Sequence, residues 1–313
     1  MRIGLHADGG RSVGLGHLGR CAALAQAFRS LGAEPVFLDA PAECRPWLAA
    51  KGFRSQASGS TRRDVIVADS YRLTPARLRK LRGLATTFVV VDDFGAHAGP
   101  CDWILNGHLY AAGLRFKAKG GPGLLLGPKF LPLRREYWTG PRPRKTASRV
   151  KNLLLTLGGM RDGGRLDEAI AAARAALPGA RLHAVVSPLA DAPKARGVIL
   201  HRAPASLRPL LETCDAVVCA GGQTLYEAAF AGAPSVGVEL GPDQAANLES
   251  MEAAGAAIRL GKPGSGWTSR LARTLRALDR DPARRARMSA SGQAAVDGRG
   301  ALRVARVLLG DAR

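Results

Sequence analysis

Gly14-Leu15-Gly16-His17-Leu18-Gly19-Arg20 is the stretch whose reading decides the fold. Before it runs a short apolar segment, Arg2-Ile3-Gly4-Leu5-His6-Ala7; after it, an Ala- and Leu-rich segment predicts a helix from His17 to Ser30. Strand, glycine corner and helix in that order suit either a tight strand-to-helix connection or an anion-binding corner of an α/β unit. Glycines at such a corner let the backbone approach a ligand, and the unpaired N–H groups of the helix start favour an anion, a diphosphate above all. His17 stands where that ligand would sit. A helix N-terminus disfavours imidazolium, so His17 is expected to stay neutral near about pH 7 and to accept a proton. The spacing departs from the dinucleotide fingerprint, because Gly19 comes one residue early and only Asp39 stands near the place of a ribose-binding acid. A nicotinamide enzyme is disfavoured.

Outward from this corner the first half alternates strand-like and helix-like segments. Glu34–Ala40, Asp64–Ser70, Thr86–Phe94, Asp102–His108 and Gly123–Phe130 read as strands, with helices at Ala42–Lys51 and Pro75–Leu84. Such alternation implies right-handed crossovers and a parallel sheet. The strands end on Asp8, Asp69, Asp92-Asp93 and Asn106, and the C-terminal ends of strands in a doubly wound sheet face one crevice. These groups are therefore expected to converge near His17.

The pattern then restarts. Residues 140–149, Gly-Pro-Arg-Pro-Arg-Lys-Thr-Ala-Ser-Arg, have no periodicity and read as a linker. Asn152–Leu157 predicts a strand leading into Gly158-Gly159, followed by a helix at Arg165–Leu177 and strands at Arg181–Ser187, Gly197–His201 and Asp215–Cys219. The expected domains are 1–140, a linker at 141–150, a second Rossmann-like domain at 151–281, and helices over 282–313 that pack across the domain boundary.

Composition sets limits. The chain has 313 residues, enough for two domains, and 46% of them are hydrophobic. No apolar run approaches the roughly 18 residues that span a bilayer, and no secretory signal is apparent, so a cytoplasmic protein is expected. Cys21, Cys44, Cys101, Cys214 and Cys219 form no metal-type or paired spacing and read as reduced, buried residues. The net charge is +21, with 37 of the 46 cationic residues arginine, but they are spread along the whole chain. With 5% aromatic content this describes a solvated cationic surface attractive to anionic metabolites, not a base-stacking nucleic-acid face.

A second constellation lies at Asp215-Ala-Val-Val-Cys-Ala-Gly221-Gly222-Gln223-Thr224-Leu-Tyr-Glu227: a buried strand, a glycine turn and a helix start. Thr224 and Glu227 have the spacing of a capping box. The same residues suit a ligand, with Gly221 and Gly222 admitting a phosphate and Glu227 holding ribose hydroxyls. Gln244 and Asn247 are amides at a further helix start, placed for capping or for the nucleotide.

The run 220–247, with Gly221-Gly222, Glu227, Gly232-x-Pro234 and Asp243-Gln244-x-x-Asn247, resembles the nucleotide-binding half of the GT-B superfamily, particularly its MurG-like group. Asp8 with Gly14-x-Gly16-His17-x-x-Arg20 is similar to the UDP-sugar hydrolase of the pseudaminic acid pathway (PseG) and its SpsG-like spore-coat relatives. Asp69-Ser70-Tyr71, Asp92-Asp93, Asn106 with Tyr110, and Leu133–Tyr137 follow in the family's order. The resemblance implies a GT-B fold with the active site in the cleft between two domains. It further implies hydrolysis of a UDP-activated 2,4-diacetamido-2,4,6-trideoxy sugar, water attacking the anomeric carbon with inversion and no metal or cofactor. By the same resemblance His17 would be the general base. Asp8, Arg20, Asp69, Tyr71, Asp93 and Asn106 would line the sugar, while Gly14, Gly16, Gly158, Gly159, Gly221, Gly222, Thr224, Glu227, Gln244 and Asn247 would hold UDP. A MurG-like transferase is the nearest rival, and a non-catalytic polyanion binder, supported only by the charge, is the third reading.

Overall fold

The computed structural model describes residues 1–158, 164–188 and 192–310, so Gly159 lies outside the described residues. It divides into two units, Met1–Trp138 with Gly298–Arg313, and Thr139–Asp297.

In the first unit seven parallel strands form one sheet: β1 (Arg2–Ala7), β2 (Glu34–Leu38), β3 (Ser55–Gln56), β4 (Arg63–Asp69), β5 (Ala85–Val91), β6 (Trp103–Asn106) and β7 (Gly123–Leu126). Their order is β3-β2-β1-β4-β5-β6-β7. The central strands are buried on both faces and read as continuous Val/Ile/Ala runs, as Val65–Ala68 and Phe88–Val91 do. The helices are α1 (Gly16–Ser30), α2 (Arg45–Ala50) and α3 (Pro75–Leu84). Thr74 caps α3 by accepting from the Arg77 N–H at 3.2 Å, and Pro75 occupies its first turn. α1 has no such cap and buries most of its length, from His17 to Phe28.

The second unit repeats the design with β8 (Asn152–Thr156), β9 (Arg181–Val186), β10 (Ile199–Arg202), β11 (Ala216–Ala220), β12 (Ser235–Val238) and β13 (Ala257–Gly261), all parallel, in the order β10-β9-β8-β11-β12-β13. Its helices are α4 (Arg165–Ala176), α5 (Arg208–Thr213), α6 (Gln223–Phe230), α7 (Gln244–Ala253), α8 (Trp267–Arg280) and α9 (Pro282–Ala295). The last helix, α10 (Gly300–Leu309), belongs to the first unit, whereas α9 belongs to the second. The physical reason lies in the apolar stripe Ala301, Val304, Ala305 and Leu308, which joins the core formed by α1 and the β1–β4 face.

Gly300 makes that docking possible. A Cβ there would stand 2.2 Å from the Leu131 carbonyl oxygen and 2.4 Å from its nitrogen, both backbone atoms with little freedom to move. Gly300→Ala is therefore expected to destabilise the protein by about 1–3 kcal/mol, read as a fall in the thermal unfolding midpoint. An unchanged midpoint would contradict this packing.

All five cysteines are free and buried. Among the described residues no helix is long and apolar enough to cross a membrane. No cluster of three or more His, Cys, Asp or Glu side chains among them could hold a metal ion.

Candidate functional site

The order of the first sheet fixes where a site can lie. Crossovers run one way from β1 through β2 to β3 and the other way from β4 onward, so the loops leaving β1 and β4 diverge and open a crevice at their C-terminal ends. Two of the polar groups singled out in the sequence come together there. β4 ends at Asp69, and the loop after β1 delivers the first turn of α1, with His17 as its second residue. His17 Nδ1 lies 2.6 Å from Asp69 Oδ1. That bond fixes the tautomer: Nδ1 carries the proton toward the carboxylate, and Nε2 is left to accept one.

Arg20, one helical turn on, closes the network. Its Nε and Nη2 donate to Asp69 at 2.8 Å each, and its Nη1 and Nη2 donate to Asp93, beyond the end of β5, at 2.9 Å each. Arg20 is buried, with its guanidinium taken up by two carboxylates. Within the protein Arg20 thus links Asp69 to Asp93. Tyr71 donates its hydroxyl to Asp93 Oδ2 and sets its ring edge-on against His17, with centroids 4.5 Å apart.

The electrostatics follow from these partners. Burial alone depresses the His17 pKa, but attraction to Asp69 and the hydrogen bond it accepts outweigh it, and the value is raised above the ordinary one. The ionised carboxylate at contact distance therefore pulls His17 in the direction opposite to the helix start, toward a higher pKa. Burial pushes the Asp69 and Asp93 carboxyls up. The Arg20 guanidinium overrides it, so both stay ionised, Asp93 far below the usual carboxylate range.

The other first-unit candidates have structural employment. Asp8 accepts from Ser70 Oγ at 2.7 Å and from the Tyr71 N–H at 3.0 Å, holding the loop that carries Tyr71. Asn106 is fully buried, donating to the Asp92 carbonyl and accepting from the His108 N–H, both at 3.0 Å. It thereby ties the end of β6 to the loop after β5. Asp92 accepts from the backbone N–H groups of Phe94, Ala96 and His97 and so shapes the loop after β5. His108, not singled out from the sequence, places Nδ1 3.3 Å from Asp93 Oδ1 and 3.2 Å from the Tyr110 hydroxyl. Its signal was its position two residues past a strand ending in the crevice. Gly14 has φ +85° and closes a tight loop by donating to Gly10 O at 2.7 Å. At Gly16 a Cβ would meet no atom within 4 Å, so the protein's own packing does not demand a glycine there.

The second sheet has its own reversal between β8 and β11, where Gly158 (φ +93°) and Gly221-Gly222 follow the two strands. Gly221 is required by packing: a Cβ would meet Leu248 Cγ at 2.8 Å and Gln244 O at 2.9 Å. Gly222 precedes α6, whose N-terminus no side chain caps. The capping box read from the sequence does not form, since Thr224 lies inside the first turn and Glu227 is buried further along the helix. Gln244 uses its side-chain oxygen to accept from the N–H groups of Gly221 at 3.2 Å and Leu240 at 2.9 Å. Asn247, fully buried, accepts from the Tyr226 hydroxyl at 2.7 Å. Both amides thus build the glycine turn and its support.

Comparison with known proteins adds to this geometry. Residues 212–284, which contain the Gly221–Asn247 constellation, match the family described as UDP-glucoronosyl and UDP-glucosyl transferase. Over an alignment of 336 positions the chain is 22% identical to the spore coat polysaccharide biosynthesis protein SpsG of Bacillus subtilis (strain 168), with 98% of each covered. Among solved structures it is similar to the glycotransferase of kitacinnamycin (TM-score 0.64, 19% identity, 99% of this chain and 98% of that one). It is also similar to the spinosyn rhamnosyltransferase SpnG complexed with thymidine diphosphate (TM-score 0.61, 16% identity, 97% and 99%). MurG of Acinetobacter baumannii gives a TM-score of 0.63 at 13% identity, with 99% of each chain covered. The two parallel-sheet Rossmann-like units have the GT-B fold of glycosyltransferases.

Proposed function

We propose that the protein is a nucleotide-sugar-dependent glycosyltransferase in which His17, oriented by Asp69, is the general base. The His17–Asp69 contact at a sheet switch point carries this reading. His17 Nε2 takes the proton of an acceptor hydroxyl as its oxygen attacks the anomeric carbon. The bond from that carbon to the diphosphate oxygen breaks, the nucleoside diphosphate leaves with the electron pair, and the configuration inverts. Asp69 stabilises the imidazolium that forms. The match of 212–284 to a UDP-sugar transferase family supports Gly221-Gly222 and Glu227 as binding residues for the nucleoside diphosphate.

Transfer is favoured over hydrolysis by the match of 212–284 to a sugar-transferase family and by the glycosyltransferase folds among its likenesses. Hydrolysis of a UDP-2,4-diacetamido-2,4,6-trideoxy sugar is the second reading. The Gly14-x-Gly16-His17-x-x-Arg20 motif favours it, and the same base would serve a water molecule. The relative's role in spore coat polysaccharide biosynthesis agrees with either.

The test is nucleoside diphosphate release from UDP-glucose, UDP-N-acetylglucosamine, the UDP-diacetamido-trideoxy sugar and a TDP-sugar, with and without hydroxyl acceptors. Release that requires an acceptor, with glycoside formed, is the expected result. Release in water alone, unchanged by acceptors, would replace transfer with hydrolysis. Failure to bind any of these nucleotides would overturn both.

A further inference from the structure

Tyr71 and Phe94 are two of the few large hydrophobic side chains left exposed among the described residues, 41% and 45% accessible. They are neighbours, with ring centroids 5.0 Å apart and planes tilted by 56°. Tyr71 also packs against His17. An exposed aromatic pair beside a buried base is not explained by packing, since neither ring belongs to the cores of the unit.

Both residues are held in place by buried or half-buried carboxylates. Tyr71 is fixed at its hydroxyl by Asp93 and at its backbone N–H by Asp8. Phe94 is fixed at its N–H by Asp92 at 3.1 Å, and the same carboxylate ties the next turn through Ala96 and His97. A surface so ordered before any ligand arrives loses little further freedom on binding. A water nucleophile needs no such surface.

We propose that Tyr71 and Phe94 form the acceptor platform, and that the acceptor hydroxyl is borne on a ring with an apolar face, such as the C–H face of a pyranose or an aromatic ring. This rests on the transferase reading and names its acceptor class. The ring lies on the Phe94–Tyr71 surface and presents its hydroxyl to His17, which Tyr71 already touches. Phe94 was not a candidate from the sequence, where it follows Asp92-Asp93 as an apparent strand residue.

Saturation-transfer NMR with phenyl β-D-glucopyranoside tests it, with glycerol as a hydroxyl probe lacking the ring. The expected result is saturation of the ring probe and not of glycerol. Affinity should fall about three- to tenfold in Phe94→Ala and be retained in Phe94→Tyr. Leu124→Ala, at an exposed apolar residue of β7, should bind as wild type does. Unchanged melting shows that Phe94→Ala is folded. No binding of the ring probe to the wild type, or equal binding to Phe94→Ala, would overturn the platform. UDP titration of the same samples separates the two ideas, because a protein that binds the ring probe through Phe94 but no nucleotide keeps the platform and loses the transferase reading.

Discussion

His17→Ala is expected to lower turnover of the nucleotide sugar by about 10²–10⁴-fold, the usual contribution of a positioned general base. The fold should survive, since the residue sits in the first turn of α1 with one edge toward the crevice and is 9% exposed. Asp69→Asn preserves shape but removes the charge that orients the ring and favours its protonated form. The two variants differ in pH dependence. The base works only when neutral, so the wild-type rate rises with pH through the His17 pKa, which Asp69 holds above the ordinary histidine value. In Asp69→Asn that attraction is gone while burial and Arg20 still lower the pKa, so the acidic limb of kcat/KM should move to lower pH. The same shift bears on stability. A raised folded-state pKa adds stability below the unfolded value of about 6.5, lost as pH rises through the folded value. Turnover by His17→Ala within about threefold of wild type would remove His17 from the mechanism.

The architecture was legible because it is written in local signals. Alternating buried runs and glycine corners mark the two parallel-sheet units, and the glycine–histidine corner marks the first switch point. Short β3 and the 257–261 strand escaped because two to five residues, with Arg259 in the second, carry too little apolar pattern. The site was legible only in outline. Strand ends place Asp69, Asp93 and Asn106 on one edge, yet periodicity does not say which group turns inward to backbone partners. Asn106 and Asp92 were spent on loop N–H and carbonyl groups, whereas Asp69 and Asp93 met a cation. The sequence also cannot show that two carboxylates, 49 and 73 residues away, reach Arg20. The capping box failed for a related reason: α6 starts one residue before Thr224, so its side chain cannot act as the cap.

Arg20→Met should be the most destabilising single change in the first unit, by about 3–5 kcal/mol, because it leaves two buried carboxylates without their cation. Methionine roughly fills the space, so the loss is electrostatic rather than a cavity. Arg20→Lys should recover only part of it, since an ammonium cannot reproduce four N–H···O contacts to two carboxylates. The pH dependence follows from the depressed Asp69 and Asp93 pKa values. In the wild type their contribution is present above the unfolded value of about 3.9 and lost as pH falls through the folded values. Without Arg20, burial instead makes both carboxyls take up protons at higher pH. The deficit of Arg20→Met is therefore largest near neutrality and narrows toward about pH 4, as denaturant unfolding at the two pH values would reveal. A deficit below about 1 kcal/mol at neutral pH, or one independent of pH, would show that the guanidinium does not hold this network together. Over the pH range in which Asp69 stays ionised, Arg20→Met should also shift the acidic limb of kcat/KM upward, opposite to Asp69→Asn, because Arg20 lowers the His17 pKa where Asp69 raises it. Opposed shifts from two residues that touch each other would separate the group that favours the imidazolium from the one that restrains it.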